Sequence, residues 1–285
     1  RGTWHIMTGR PAMARLALGL RTPKQAVPGL DVSGVVVAVG AGVTRVVVGD
    51  AVFGIAMGSF AAFATCKQEK LARAPRAIPL VDAAALAVSG STALAALDIA
   101  ELRSGERVLI TGASGGVGSY AVQIAKARGA HVTAVCSAKN VDLVAGLGAD
   151  DVVDYAVTDV FAADGPAFDV VVDIAGNPSL GRLRRRLAKA GRVAFVGGEH
   201  GGATFGMERP LLGALLSLWV QQRFLMVMPH EHFAPMEALA ALVDAGAVRP
   251  IIERRVGLDG VADVVRAMPT RAPRGKVVVA LAPAP

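Results

Sequence analysis

The stretch of this chain with the most chemical consequence runs from Gly112 to Gly118. Gly112-Ala-Ser114-Gly115-Gly116-Val117-Gly118 follows an apolar run, Arg107–Thr111, and leads into Ser119-Tyr-Ala-Val-Gln-Ile-Ala-Lys126. That order reads as a buried strand, a tight glycine turn and a helix. Gly112, Gly115 and Gly118 would let the backbone come within hydrogen-bonding range of a pyrophosphate. The amides at the helix start would face it with the positive end of the helix dipole. About twenty residues further on, a fold selective for NAD places an acid to accept the ribose hydroxyls. Here the chain has Cys136-Ser137-Ala138-Lys139 instead. A hydroxyl and an ammonium suit a 2′-phosphate, which a carboxylate would repel, so the expected cofactor is NADPH. A plainer reading makes Ser137 the cap of the next helix and Lys139 an ordinary surface lysine.

These residues act together only if a sheet holds them. After Gly129 come a second strand, His131–Cys136, a helical stretch from Asn140 to Leu147, a short strand Asp151–Asp154, and further strands at Asp169–Asp173 and Arg192–Val196. Near-continuous apolar strands alternating with helices predict a doubly wound α/β domain with a parallel sheet covered on both faces. Gly176, Gly197 and Gly198 follow the fourth and fifth strands, at the sheet edge where ligands of such folds bind, and are expected to line the pocket. Leu218–Val227 reads as an edge strand, a liability if left exposed.

Composition narrows the class. With 285 residues and 53% hydrophobic content the chain can bury a large core, and two domains are expected. Apolar stretches such as Leu211–Val220 are too short to cross a bilayer. Two cysteines, Cys66 and Cys136, cannot build a disulfide framework and suit a reducing cytoplasm. The net charge of +7 is dispersed, and its one dense run, Arg182 with Arg184, Arg185 and Arg186, reads as a solvated helix face. With 5% aromatic residues and no basic stripe interleaved with aromatics, nothing favours nucleic acid as a partner.

Further segments form an ordered set with the glycine turn: Pro28-Gly-Leu-Asp-Val-Ser-Gly34, Gly49-Asp-Ala-Val-Phe-Gly54, Gly90-Ser-Thr-Ala93, Leu147-Gly-Ala-Asp150, Asp154-Tyr155 and Arg274-Gly-Lys-Val-Val278. From Trp4 to Val279 the chain resembles the zinc-free quinone-oxidoreductase branch, zeta-crystallin-like, of the medium-chain dehydrogenases/reductases. The resemblance implies a Rossmann domain at residues 88–227 and a split, β-rich GroES-like catalytic domain from 1–87 and 228–285, with the active site in the cleft between them. It also implies a catalytic domain shortened at its amino end. Zinc-dependent members carry Gly-His-Glu where this chain has Gly29-Leu30-Asp31, and leucine offers a metal no lone pair, so no metal is expected. His230 and His232, flanking Glu231, are read as structural or surface residues.

Carried over position by position, the resemblance puts Thr92 near the nicotinamide, Ser114–Val117 along the pyrophosphate, Ser137 and Lys139 at the 2′-phosphate, Tyr155 beside the adenosine phosphate, and Lys276 as a weaker addition. Plainer alternatives are a helix cap for Thr92, a space-filler for Tyr155 and an exposed edge-strand lysine for Lys276. The implied reaction is hydride transfer to a quinone or to an α,β-unsaturated carbonyl compound. His5 and Thr3 are the candidate catalytic donors to the carbonyl oxygen, and the backbone near Gly198 is a third. The edge near 218–227 would pair subunits into a homodimer. A non-catalytic NADPH-binding sensor or structural protein, and an enoyl-acyl reductase of the same fold, remain as alternatives.

Overall fold

The computed structural model describes Met7 and residues 25–162, 164–175, 178–197, 208–228, 231–269 and 273–281. The chain divides into two compact units, Arg1–Ser91 with His230–Pro285, and Thr92–Pro229.

The first unit opens with β1 (Asp31–Val35), β2 (Ala51–Ile55) and β3 (Leu71–Arg73), an antiparallel sheet in that order. Val52 of β2 and Leu71 of β3 form a small core with Val46 from the segment between β1 and β2, and Val32, Val36 and Val43 pack against it. Two helices follow, α1 (Leu80–Ala83) and α2 (Ala87–Ile99), and the boundary between the units falls inside α2.

The second unit continues with β4 (Arg107–Thr111), α3 (Gly116–Ala127), β5 (His131–Cys136), α4 (Val141–Ala145), β6 (Asp151–Asp154), β7 (Phe168–Asp173), α5 (Leu180–Arg186), β8 (Leu187–Phe195), α6 (Glu208–Leu216) and β9 (Arg223–Met226). Its six strands are all parallel and run β6-β5-β4-β7-β8-β9. The chain winds outward one way from β4 and then returns to start the other half at β7, which is the strand order of dinucleotide-binding folds. Val108, Leu109, Ile110, Val170, Val171 and Val172 are fully buried, as the continuous apolar strands require of a sheet covered on both faces. The chain then returns to the first unit with α7 (Phe233–Asp244), β10 (Ile252–Val256), α8 (Val261–Ala267) and β11 (Lys276–Val279), and β10 and β11 pair in parallel. The α/β class expected from the sequence, a Rossmann sheet with a separate β-rich GroES-like unit, is the observed one.

Two sequence readings need correction. The expected strand Leu218–Val227 shrinks to Arg223–Met226, which does lie at the sheet edge. The amides of Leu218 and Trp219 bond back to Leu215 and Leu216 at the end of α6, and the Phe224 amide, inside β9, bonds to Ser217 Oγ. Amides spent on a helical turn cannot join a strand. The arginine run is also less exposed than a solvated face. Arg184 and Arg185 are exposed, but Arg182 bonds Asp159, and Arg186 is buried over the Phe168 ring with Nη1 donating to the Gly165 carbonyl at 3.2 Å.

The segment before β6 is held by charge. Lys126 Nζ donates to both oxygens of Asp150, at 2.9 and 2.8 Å, and the Val132 amide donates to Asp150 Oδ2 at 2.7 Å. Burial pushes the Asp150 carboxyl up, but those hydrogen bonds and the charges of Lys126 and His131 outweigh it and hold it below the ordinary carboxylate value. A depressed folded-state value contributes stability above the unfolded carboxylate value and loses it as pH falls through the folded one. The pair is about a third exposed, so Asp150→Asn is expected to cost only about 1 kcal/mol at neutral pH. Melting curves should show that difference vanish in acid, and a gap that persists below the folded value would remove the ion pair as its cause.

Candidate functional site

The glycine turn connects β4 to α3 at the carboxyl end of the parallel sheet, beside β7, where the strand order reverses. Ligands of open α/β sheets bind in that crevice. Gly112 takes φ +67°, a left-handed conformation that side chains resist, and the Gly115 amide closes the turn on the Gly112 carbonyl at 3.1 Å. A Cβ at Gly118 would lie 2.2 Å from the Gly112 carbonyl oxygen and 2.7 Å from Ala113 Cα, so only glycine lets α3 sit this close to the turn. Gly115 occupies the N-cap position with no side-chain cap, which leaves the first-turn amides of Gly116, Val117 and Gly118 for a ligand at the positive end of the helix. The cradle fits a pyrophosphate.

The floor of this crevice is a network that sequence reasoning missed. Thr111, the last residue of β4, donates from Oγ1 to Asp173 Oδ1 at 2.9 Å and accepts from the amides of Ile174 and Ala175 at 2.9 and 3.2 Å. Asp173 ends β7 with its side chain 1% exposed, and its other oxygen accepts from Arg209 Nη2 at 2.7 Å. The Arg209 guanidinium lies 5.0 Å from the centre of the Phe195 ring. A strand of apolar residues that closes on aspartate was the available signal, because a carboxylate buried there needs a partner. The partner comes from α6, too far along the chain to be matched to it by spacing.

Ser137 follows β5, half-buried, with Lys139 exposed in the 3₁₀ turn after it. Ser137 occupies the cap position of that turn without making a side-chain cap bond, so its plainer reading as a cap is not what the chain does. Its hydroxyl instead accepts from Asn140 Nδ2 at 3.2 Å, and the same nitrogen donates to Ser114 Oγ at 2.9 Å. Asn140, unmarked in the sequence reading, thus joins the glycine turn to the end of β5. Tyr155 follows β6 and is 64% exposed, so it fills no space there. Gly197 lies after β8, exposed, and a Cβ on it would meet the Ile174 carbonyl oxygen at 2.9 Å. Thr92 is buried inside α2, five residues past the helix start at Ala87, so it caps nothing. Thr3, His5, Gly176, Gly198 and His230 lie outside the described residues. His232 caps α7, its Nδ1 accepting from the Ala234 amide at 3.4 Å, which is the structural role expected of it.

In the first unit the Gly29-Leu30-Asp31 segment is committed to other bonds. Asp31 Oδ1 accepts from the Val88 amide at 2.7 Å, and Oδ2 from Lys276 Nζ at 3.0 Å; Lys276 also reaches Ser89 Oγ at 3.2 Å. Lys276 is therefore no exposed edge lysine. The Cys66 thiol donates to the Ile55 carbonyl at 2.9 Å, and burial pushes its pKa up more than the Lys70 charge lowers it. Burial and the Asp154 charge raise the Cys136 thiol likewise. Zinc binds thiolate, imidazole or carboxylate. Among the described residues no three His, Cys, Asp or Glu side chains are grouped to hold a metal ion, and this set does not fit a zinc. Among the same residues no helix is long and apolar enough to cross a membrane.

Comparison with known proteins agrees with this arrangement. Residues 2–137 match the alcohol dehydrogenase GroES-like domain, and residues 147–279 match a family described as zinc-binding dehydrogenase. The chloroplast envelope quinone oxidoreductase homolog of Arabidopsis thaliana is 38% identical over 206 residues, 68% of this chain and 61% of that protein. The chain thus spans about three fifths of that relative's length. A mitochondrial NAD(P)H oxidoreductase of Mus musculus is 32% identical over 300 residues, 94% of this chain and 74% of that protein. Among solved structures, the quinone oxidoreductase from Coxiella burnetii superposes with a TM-score of 0.82 at 24% identity, covering 98% of this chain and 86% of the other, a likeness of fold. With the doubly wound sheet, its glycine turn and the antiparallel GroES-like unit in one chain, the protein belongs to the medium-chain dehydrogenase/reductase family.

Proposed function

We propose that this protein is an NADPH-dependent, zinc-independent reductase that passes hydride to a quinone or to an α,β-unsaturated carbonyl compound. The observation that carries the reading is the glycine cradle at the switch point of the sheet, with Ser137 and Lys139, and no carboxylate, directly after the neighbouring strand β5. Bound NADPH would supply the hydride, and the protein supplies grip and orientation. The amides of Gly116, Val117 and Gly118, with Ser114, hold the pyrophosphate. Ser137 and Lys139 meet the 2′-phosphate, and Tyr155 offers its exposed ring and hydroxyl beside the adenosine phosphate. Thr92, Gly176, Gly197 and Gly198 line the nicotinamide end. Thr3 and His5 are the donors we assign to the carbonyl oxygen, whose developing charge needs hydrogen bonds where no Lewis acid acts.

The named activities of the relatives support a quinone as acceptor, and Leu30, the committed Asp31 and the protonated Cys66 support zinc independence. A homodimer through β9 fits that strand's place at the sheet edge and the exposed Leu218 and Trp219 beside it. Two free thiols suit a reducing compartment, for which we propose the cytoplasm.

The test follows oxidation of NADPH and NADH with a panel of quinones and enones, with and without a metal chelator. Turnover that favours NADPH and ignores the chelator is expected. Loss of activity on chelation would overturn zinc independence, and NADPH binding without turnover would establish a non-catalytic binding protein instead. Sedimentation of the same preparation should give a dimer, and a monomer would remove the edge-strand contact.

A further inference from the structure

Asn140 is 6% exposed and lies between the two hydroxyls that the cofactor reading uses. Its Nδ2 donates one hydrogen to Ser114 Oγ at 2.9 Å and the other to Ser137 Oγ at 3.2 Å. Its Oδ1 is buried and meets no hydrogen-bond partner among the described residues. Turning the amide over would let Oδ1 accept from both serines but strand two N–H donors, the worse of the two arrangements, so the amide keeps its nitrogen toward the hydroxyls. Each serine oxygen then spends a lone pair on Asn140, and its own hydrogen must point elsewhere. Ser114 and Ser137 are both half-buried, one in the glycine turn and one just past β5. Asn140 therefore makes donors of both, at the two places where the proposed cofactor carries anionic oxygens.

We propose that Asn140 is a positioning residue for cofactor selectivity, fixing Ser114 and Ser137 as hydrogen-bond donors so that the site prefers a dinucleotide bearing a 2′-phosphate. The proposal rests on the NADPH reading above. It differs from a purely structural role, in which the amide only ties the turn to the strand and both dinucleotides suffer equally when it is lost.

The isosteric variant Asn140→Asp decides between them. Its carboxylate would accept from both serines and turn their lone pairs outward. Dissociation constants for NADPH and NADH, measured by fluorescence titration of the full chain, are expected to rise about 100-fold and about 10-fold respectively, so the preference for NADPH falls about tenfold. Asn140→Ala, which adds no charge, should lower the preference by a smaller factor and keeps the test open if the aspartate variant folds poorly. In a Ser137→Ala background the effect of the neutral Asn140→Ala on the preference should disappear, because the hydroxyl it acts through is gone. An unchanged NADPH-to-NADH ratio in both Asn140 variants would overturn the proposal while leaving the cofactor reading intact. Wild-type protein that binds neither dinucleotide would overturn the cofactor reading itself, and the proposal with it.

Discussion

Replacing Gly118 with alanine is expected to abolish dinucleotide binding, raising the NADPH dissociation constant at least about 100-fold, and to destabilise the chain by about 1–3 kcal/mol. The added methyl would lie 2.2 Å from the Gly112 carbonyl oxygen and 2.7 Å from Ala113 Cα. Both obstacles are backbone, so no rotamer change can relieve the contact. Either α3 moves away from the turn or the turn opens, and in both cases the helix-start amides leave the place where they would meet a pyrophosphate. Gly115→Ala serves as the contrast. Gly115 has an ordinary backbone conformation, φ −83°, and its Cβ would meet only the Gly112 oxygen, at 3.3 Å, so a smaller loss is expected there. Fluorescence titration gives the affinities and urea denaturation the stability. A Gly118→Ala protein with wild-type affinity would show that the turn does not hold the cofactor.

Removing the carboxylate of Asp173 is the change expected to cost the most stability, about 3–5 kcal/mol for Asp173→Ala. Asp173 and Arg209 form a pair with side-chain exposures of 1% and 20%, and losing one member takes a charge-assisted hydrogen bond from the other in a poorly solvated place. Arg209 also lies in the first turn of α6, where the helix dipole disfavours a cation, and the carboxylate offsets that cost. Asp173→Asn should cost less, about 2 kcal/mol, because its one amide oxygen can still accept from Arg209 or from Thr111, though not from both as the carboxylate does. The double variant Asp173→Leu with Arg209→Met should recover most of the loss, since removing both charges leaves nothing to desolvate. Thr111 still accepts from the amides of Ile174 and Ala175 in every variant, which keeps the end of β4 attached to the chain after β7. Urea denaturation of the four proteins tests the scheme, and an Asp173→Ala variant within about 1 kcal/mol of wild type would refute it.

Much of the second unit was legible because its information is local. Continuous apolar strands, helices between them and glycines at fixed offsets determined the parallel sheet, the turn and the place of Ser137 and Lys139, since backbone conformation and burial depend on residues a few positions apart. The same logic failed at Leu218–Val227, where residues apolar enough for a strand continue a helical turn through their amides. The expectation that no metal binds came from side-chain chemistry alone at Leu30, which has no donor atom in any fold, and zinc independence is a proposal.

What the sequence by itself determined was the class of fold and the kind of ligand its glycine turn suits. The tertiary structure decided which side chains meet: Asp173 with Arg209, 36 positions on, Asn140 with Ser114, 26 positions back, and Asp31 with Lys276, 245 positions away. Residue type and spacing carry no trace of such pairings. They arise from strand order, and from the rule that a buried charge or amide takes its partner from whichever element the fold brings beside it.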